Sequence, residues 1–200
     1  MTHDEAYGQL VTVCQDGSIA GLRDEIVIRL GLLGMRVAEI AHLTVGALAQ
    51  LPTITWTGKG HKPRQATAGR ALREALDRYL AAYPDAIPAS PLICCQLPGR
   101  GGWTNHTDLY WHHGFTTTMG LFRIITLRAE QAGLGHVAPH DLRRTAAGIL
   151  HRATAEDGGH LFDLLDIERV LGHSDPATTM RSYLEPMDTG VLDRAASVLD

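Results

Sequence analysis

Residues 171–183 read LGHSDPATTMRSY, and the rest of the chain makes sense as a pocket assembled around them. Asp175 is a favourable helix N-cap, and Pro176 suits the first helical position. The pattern predicts a helix from Pro176 to about Leu184, stopped by Pro186. His173 then stands just outside a helix N-terminus, and Tyr183 lies two turns further on. A histidine on a loop and a tyrosine on the next helix can face one pocket.

Working outward, the preceding stretch predicts a helix from about Leu161 to Leu171, after a polar loop near Glu156–Gly159. Upstream, Pro139 marks a helix start, and His140 to about Ala153 begins HDLRRTAAGIL. His140 shares a face with Arg143 at three residues and with Arg144 at four, so spacing alone does not choose between the arginines. Ala146 and Ala147 let that helix approach a neighbour closely. After the tyrosine helix, Asp188–Leu199 reads as a short amphipathic tail helix.

Towards the N-terminus, Ile19, Leu22, Ile26, Leu30 and Leu33 recur at helical spacing and predict an amphipathic helix over 18–33, ended near Gly34. In GLLGMRVAEIAHL (31–43), Arg36 sits at the break before a second short helix, with Glu39 three residues on and able to orient it. Thr53–Thr57 alternates as a strand, with Ile54 and Trp56 on one face. Gly58-Lys59-Gly60 reads as a turn and His61–Thr67 as the return strand. A lysine between two glycines has a long stem on a mobile tip. It is no phosphate-cradling Walker loop, because the upstream glycine and the following Ser/Thr are missing. Helices are predicted over 69–83 and 116–132, and Leu92–Cys95 reads as a short buried strand. Leu97–Gly114, rich in Gly, Trp and His, gives no clear reading.

Two hundred residues with 44% hydrophobic content suit one ordinary globular domain. No apolar run is long enough to span a bilayer and no signal peptide follows Met1, so no membrane partner is expected. Cys14, Cys94 and Cys95 make no disulfide framework, and the adjacent pair suits a reducing, cytoplasmic compartment. The net charge of −4 argues by itself against a nucleic-acid partner. Its distribution argues the other way. Residues 59–78 carry six Lys/Arg against two acids, 100–152 six against three, and 153–200 three against ten. That pattern suits one positive face. Only Lys59 and Lys62 are lysines. Eleven histidines, His106, His112, His113 and His136 among them, show no metal-ligand spacing, so neither a metal nor another cofactor is expected. Trp56, Trp103, Tyr110 and Trp111 offer faces for base stacking, with core packing the better reading.

Arg36, Lys59, His140, Arg143, His173 and Tyr183, carried by GLLGMRVAEIAHL, GKGHKPR, PHDLRRT and LGHSDPATTMRSY, resemble in order and context the active-site pattern of the tyrosine recombinase (phage integrase) family. The resemblance runs from about Ala20 to Tyr183. It implies an α+β, mainly α-helical catalytic domain with a small antiparallel β-sheet at one edge. It further implies a site-specific DNA recombinase or integrase that cleaves and rejoins strands without metal or ATP.

In that family the tyrosine, here Tyr183, attacks the scissile phosphate, giving a 3′-phosphotyrosine link and a free 5′-hydroxyl. Ionising a phenol at pH 7 costs about 4 kcal/mol, which a positive field or a base must offset. By the resemblance, Arg36 and Arg143 clamp the non-bridging oxygens, where charge develops. Lys59 is the general acid for the leaving oxygen, and His140 the acid/base partner of the nucleophile. His173, beside a helix N-terminus, is expected to be a neutral donor to phosphate. The family's H-x-x-R pattern selects Arg143. Arg144 is left as a DNA-backbone contact or a structural ion pair, Lys62 and Arg64 are expected to contact DNA, and Glu39 supports Arg36.

Family members usually carry a helical DNA-clamping domain before the catalytic one. Here the pattern starts within the first turns, so residues 1–200 are read as a single catalytic domain with the clamp absent. The expected partners are double-stranded DNA attachment sites, with a homotetramer on DNA, a monomer alone, and accessory DNA-bending proteins in some reactions. Two rivals remain: a type IB topoisomerase-like relaxation of one duplex, and a DNA-binding regulator that has kept the fold and lost the reaction.

Overall fold

The computed structural model describes residues 3–97, 110–155 and 159–172. In chain order these form α1 (His3–Cys14), α2 (Ile19–Leu32), α3 (Val37–Ala41), β1 (Thr53–Thr57), β2 (Pro63–Thr67), α4 (Arg70–Ala81), β3 (Cys94–Leu97), β4 (Tyr110–Phe115), α5 (Thr118–Gln131), α6 (Pro139–Arg152) and α7 (Leu164–Leu171). The expected tyrosine helix from Pro176 and the tail helix 188–199 lie outside the described residues.

Helix α2 is the axle. It packs against α1, α4, α5 and α6, and Ile26, Val27, Ile28 and Leu30 are wholly buried. The sequence pattern predicts an amphipathic helix, but its middle, Asp24–Ile28 with Leu30 and Gly31, is buried among neighbouring helices and keeps no broad polar solvent face. Its carboxylates Asp24 and Glu25 are buried too, and buried carboxylates need partners. Asp24 is held by Arg23 at 2.6 Å and by Arg128 of α5 at 2.9 Å. Glu25 is held by Arg29 at 2.7 Å and Arg78 of α4 at 3.0 Å. Ser18 caps the helix by accepting from the Gly21 amide at 2.9 Å.

Helix α1 has no counterpart in the sequence reading. Only its second half shows helical apolar spacing, and its Val and Thr residues favour strands. Burial of Leu10, Val11 and Cys14 against the main core decides its place. That burial pushes the Cys14 thiol up to about 12.

β1 and β2 form an antiparallel hairpin in which Thr53 faces Thr67, Trp56 faces Arg64 and Thr57 faces Pro63. Ile54 and Trp56 turn inward. A second antiparallel pair, β3–β4, is joined across a register irregularity at Cys94/Cys95. β4 falls in the stretch the sequence left unread, because YWHHGF lacks alternation and owes its strand form to the neighbour it pairs with.

Helix α6 crosses α2 where Gly31 leaves room. A Cβ there would stand 2.7 Å from Leu142 Cδ1. Beyond that crossing, Ala146 and Ala147 of α6 pack with Ile167 and Leu171 of α7 in a second, smaller core. This brings the last turn of α7 over the α2–α3 junction.

Candidate active site

Four segments far apart in sequence meet at the C-terminal end of α7. A helix end leaves its last carbonyls without intrahelical partners and carries a partial negative charge. Here three consecutive carbonyls receive three guanidiniums from three different elements. Val170 O accepts from Arg64 Nη2 at 2.8 Å, Leu171 O from Arg143 Nη2 at 2.7 Å, and Gly172 O from Arg36 Nη2 at 2.8 Å. Gly172 itself closes the helix in the left-handed conformation, φ 62°.

Arg36 occupies the N-cap position of α3, just past Gly34, whose φ of 88° suits glycine. Glu39 holds Arg36 at both ends. Its Oε2 accepts the Arg36 backbone N–H at 2.8 Å and its Oε1 accepts from Arg36 Nη1 at 3.0 Å. Arg143 is buried on α6 and also donates through Nη1 to the carbonyl of Gly34. The α2–α3 break, α6 and the end of α7 are thus tied by arginine side chains to backbone oxygens.

Arg64, expected to contact DNA, turns inward. Its guanidinium carbon lies 5.1 Å from the Trp56 ring centroid, and Nη1 reaches Glu39 Oε2 at 3.5 Å. Burial lowers its pKa from the ordinary arginine value, against the opposing pull of Glu39. The side chains of Arg36, Arg64, Arg143 and Glu39 leave two formal positive charges in a partly desolvated cluster. Such a cluster favours an anion, and most of all one whose negative charge grows during a reaction. Beside it, an open groove of 1280 Å³ runs between α3 and the hairpin, lined by Arg36, Glu39, His42, Gly58, His61 and Arg64 among others.

His140 is exposed on the first turn of α6, one turn before Arg143. Arg144 faces solvent and pairs with Asp141 at 3.9 Å, both side chains about half exposed, a contact worth little. Lys62 is exposed on the hairpin. Lys59 lies in the tip turn Lys59–His61, and its side chain is outside the described residues, as are His173 and Tyr183. Among the described residues no group of three His, Cys, Asp or Glu side chains is placed to hold a metal ion. His106 and Trp103, and the side chains of His112, His113, Tyr110 and Trp111, are likewise outside; His136 lies 6.1 Å from the Phe122 ring.

The sequence reading missed the inward turn of Arg64. The signal was present in the hairpin register: the residue opposite an inward-facing tryptophan faces inward as well.

Comparison with known proteins bears on this geometry. The model of the phage integrase family matches residues 1–189. The chain is 33% identical over 163 residues to the tyrosine recombinase XerD of Neisseria meningitidis, covering 80% of this chain and 49% of that protein. It is 31% identical over 159 residues to XerC of Corynebacterium efficiens, covering 78% and 44%. The chain therefore spans about half the length of the curated relatives it matches. The XerH recombinase bound to its difH substrate superposes with a TM-score of 0.69 at 20% identity, over 98% of this chain and 53% of that one. A lambda integrase dimer bound to a core site gives 0.60 at 12% identity, over 94% and 59%. At these identities the likeness establishes the fold. Among the described residues no helix is long and apolar enough to cross a membrane.

Proposed function

Because this chain belongs to the phage integrase family, as the catalytic domain of a tyrosine recombinase, we propose that it breaks and rejoins DNA strands at specific sites through a covalent link to Tyr183. The observation that carries this reading is the meeting of Arg36 and Arg143 at the turn of α7 that ends in Gly172, the residue before His173. Two guanidiniums held on backbone oxygens are preorganised, so little reorganisation is needed when a phosphate arrives. Arg36, with 31% of its side chain exposed, is the one of the two that opens towards the groove, and planar bidentate recognition of non-bridging oxygens is what arginine excels at.

In this mechanism Tyr183 attacks phosphorus and the bond to the 5′-oxygen breaks. Lys59 delivers a proton to that oxygen, and His140, exposed beside Arg143, exchanges the proton of the phenol. His173 donates to a non-bridging oxygen. The phosphotyrosine conserves the bond energy, so the 5′-hydroxyl of another strand can displace the tyrosine without ATP. The partners are double-stranded DNA attachment sites, with four copies on two duplexes and DNA-bending proteins where the site requires them. The place of action is the bacterial cytoplasm, at the nucleoid. The relatives that match are bacterial proteins, and two structural neighbours are described as bound to their own recombination sites.

The test is a nicked suicide duplex whose 5′-hydroxyl product diffuses away, with covalent protein–DNA complex read on a denaturing gel. The complex is expected with the wild-type chain and absent with Tyr183→Phe. DNA binding without any covalent product would make this a regulator that has lost the reaction. Relaxation of supercoils without recombinants would make it a topoisomerase.

A further inference from the structure

We propose that Arg64 is a positioning residue for strand cleavage: it clamps the β1–β2 hairpin, which carries Lys59 at its tip, to the C-terminal turn of α7. The inference rests on the recombinase reading above and adds a residue that works through others rather than on the phosphate itself.

Three contacts fix the guanidinium in place. It donates to Val170 O at 2.8 Å, reaches Glu39 Oε2 at 3.5 Å, and lies over Trp56, its cross-strand partner, at 5.1 Å. With 13% of its side chain exposed, Arg64 has no free fork to offer a DNA backbone. Two glycines open the space it occupies. A Cβ on Gly58 would stand 2.7 Å from Arg64 Cδ, and one on Gly172 would stand 2.7 Å from both terminal guanidinium nitrogens. Gly58 starts the lysine turn, and Gly172 ends α7. Arg64 therefore links the two segments that precede Lys59 and His173, and through Glu39 it shares a carboxylate with Arg36. A planar fork that hydrogen-bonds, pairs and stacks at once is not replaced by an ammonium.

The experiment compares the wild-type chain with Arg64→Ala and Arg64→Lys on the suicide duplex. Covalent complex is followed in single turnover at saturating DNA, and affinity is measured across a salt series. Both variants are expected to cleave about 10- to 100-fold more slowly, the scale of a small misplacement of reacting groups. Affinity and its salt slope should stay at the wild-type values. Arg64→Lys cleaving at the wild-type rate would overturn the proposal. So would a salt slope lower by about one in Arg64→Ala, which is the mark of a lost phosphate contact.

Hydrogen exchange gives a readout independent of chemistry. Arg64→Lys should speed exchange at the hairpin tip and at residues 171–172 together, while circular dichroism shows the fold intact. Unchanged exchange at both would overturn the clamp. If the wild-type chain itself forms no covalent complex, the recombinase reading fails, and hydrogen exchange and the salt slope still decide the place of Arg64.

Discussion

At Gly172 a single methyl group would do two kinds of damage. The residue sits at φ 62°, where a side chain costs about 1–2 kcal/mol, and its Cβ would enter the space of the Arg64 guanidinium. Gly172→Ala is therefore expected to lower urea-unfolding stability by at least about 1 kcal/mol. It should also slow covalent-complex formation, because the carbonyls of residues 170–172 are where three arginines are held. A variant with unchanged stability and rate would show that the turn tolerates another geometry. At this scale the sequence pointed to residues that the fold brings together and said little of what they touch. Arg36, Arg143 and Glu39 were singled out from spacing and resemblance, and they meet. Arg64 was read as a surface cation because charge alone says nothing of direction. Its acceptor on α7, Val170, acts through a backbone oxygen, which no residue type announces.

Among the elements, α7 carries the acceptors, and its start is held by Asp163. That side chain accepts from the Asp166 amide at 2.7 Å. Thr117 does the same for α5, accepting from the Gly120 amide at 3.0 Å. Asp163→Ala and Thr117→Ala are each expected to lose about 1 kcal/mol of stability, the usual worth of an N-cap. Only the first should also slow strand cleavage, since α7, unlike α5, presents carbonyls to the arginine cluster; equal cleavage by the two variants would separate α7 from the site. The start of α6 was legible because Pro139 announces it through local chemistry, and α2 was legible from its apolar spacing, whereas the helix expected from about Leu161 begins at Leu164 behind its Asp163 cap. α1 and β4 were not legible. Each takes its form from what it packs or pairs with, and that information lies in other parts of the chain.

Across the whole molecule, a buried charge network joins the helices around α2. Arg128 of α5 binds Asp24 at 2.9 Å and Asp16 at 2.9 Å. Replacing it by methionine leaves Asp24, 3% exposed, with Arg23 as its ion-pair partner among the described residues. Arg128→Met is expected to cost about 3 kcal/mol, the low end for breaking a buried pair, read as a lower urea midpoint. Acid should act on the same network. Burial raises the Asp16 pKa, but hydrogen bonds from Ser18 and Arg128 outweigh it, and the folded value lies below the ordinary one. A depressed carboxyl pKa contributes stability that is fully present above the unfolded value, about 3.9, and is lost as pH falls through the folded value. Asp16→Asn should therefore flatten the stability profile below about pH 4 and leave its shape near neutrality unchanged. An unaltered acid limb would remove Asp16 from the network's pH response.

By itself the sequence determined the order of most elements, the hairpin, the start of α6 and the residue set that marks the family, because these are written in short-range spacing, capping chemistry and ordered motifs. Only the tertiary structure decided that the middle of α2 is enclosed by α1, α4, α5 and α6, what holds the guanidinium of Arg64, and that three arginines share the end of α7. Those facts depend on which surfaces meet across more than a hundred residues of chain: the hairpin register can turn Arg64 towards the face of Trp56, but the carbonyl that holds its guanidinium comes from α7.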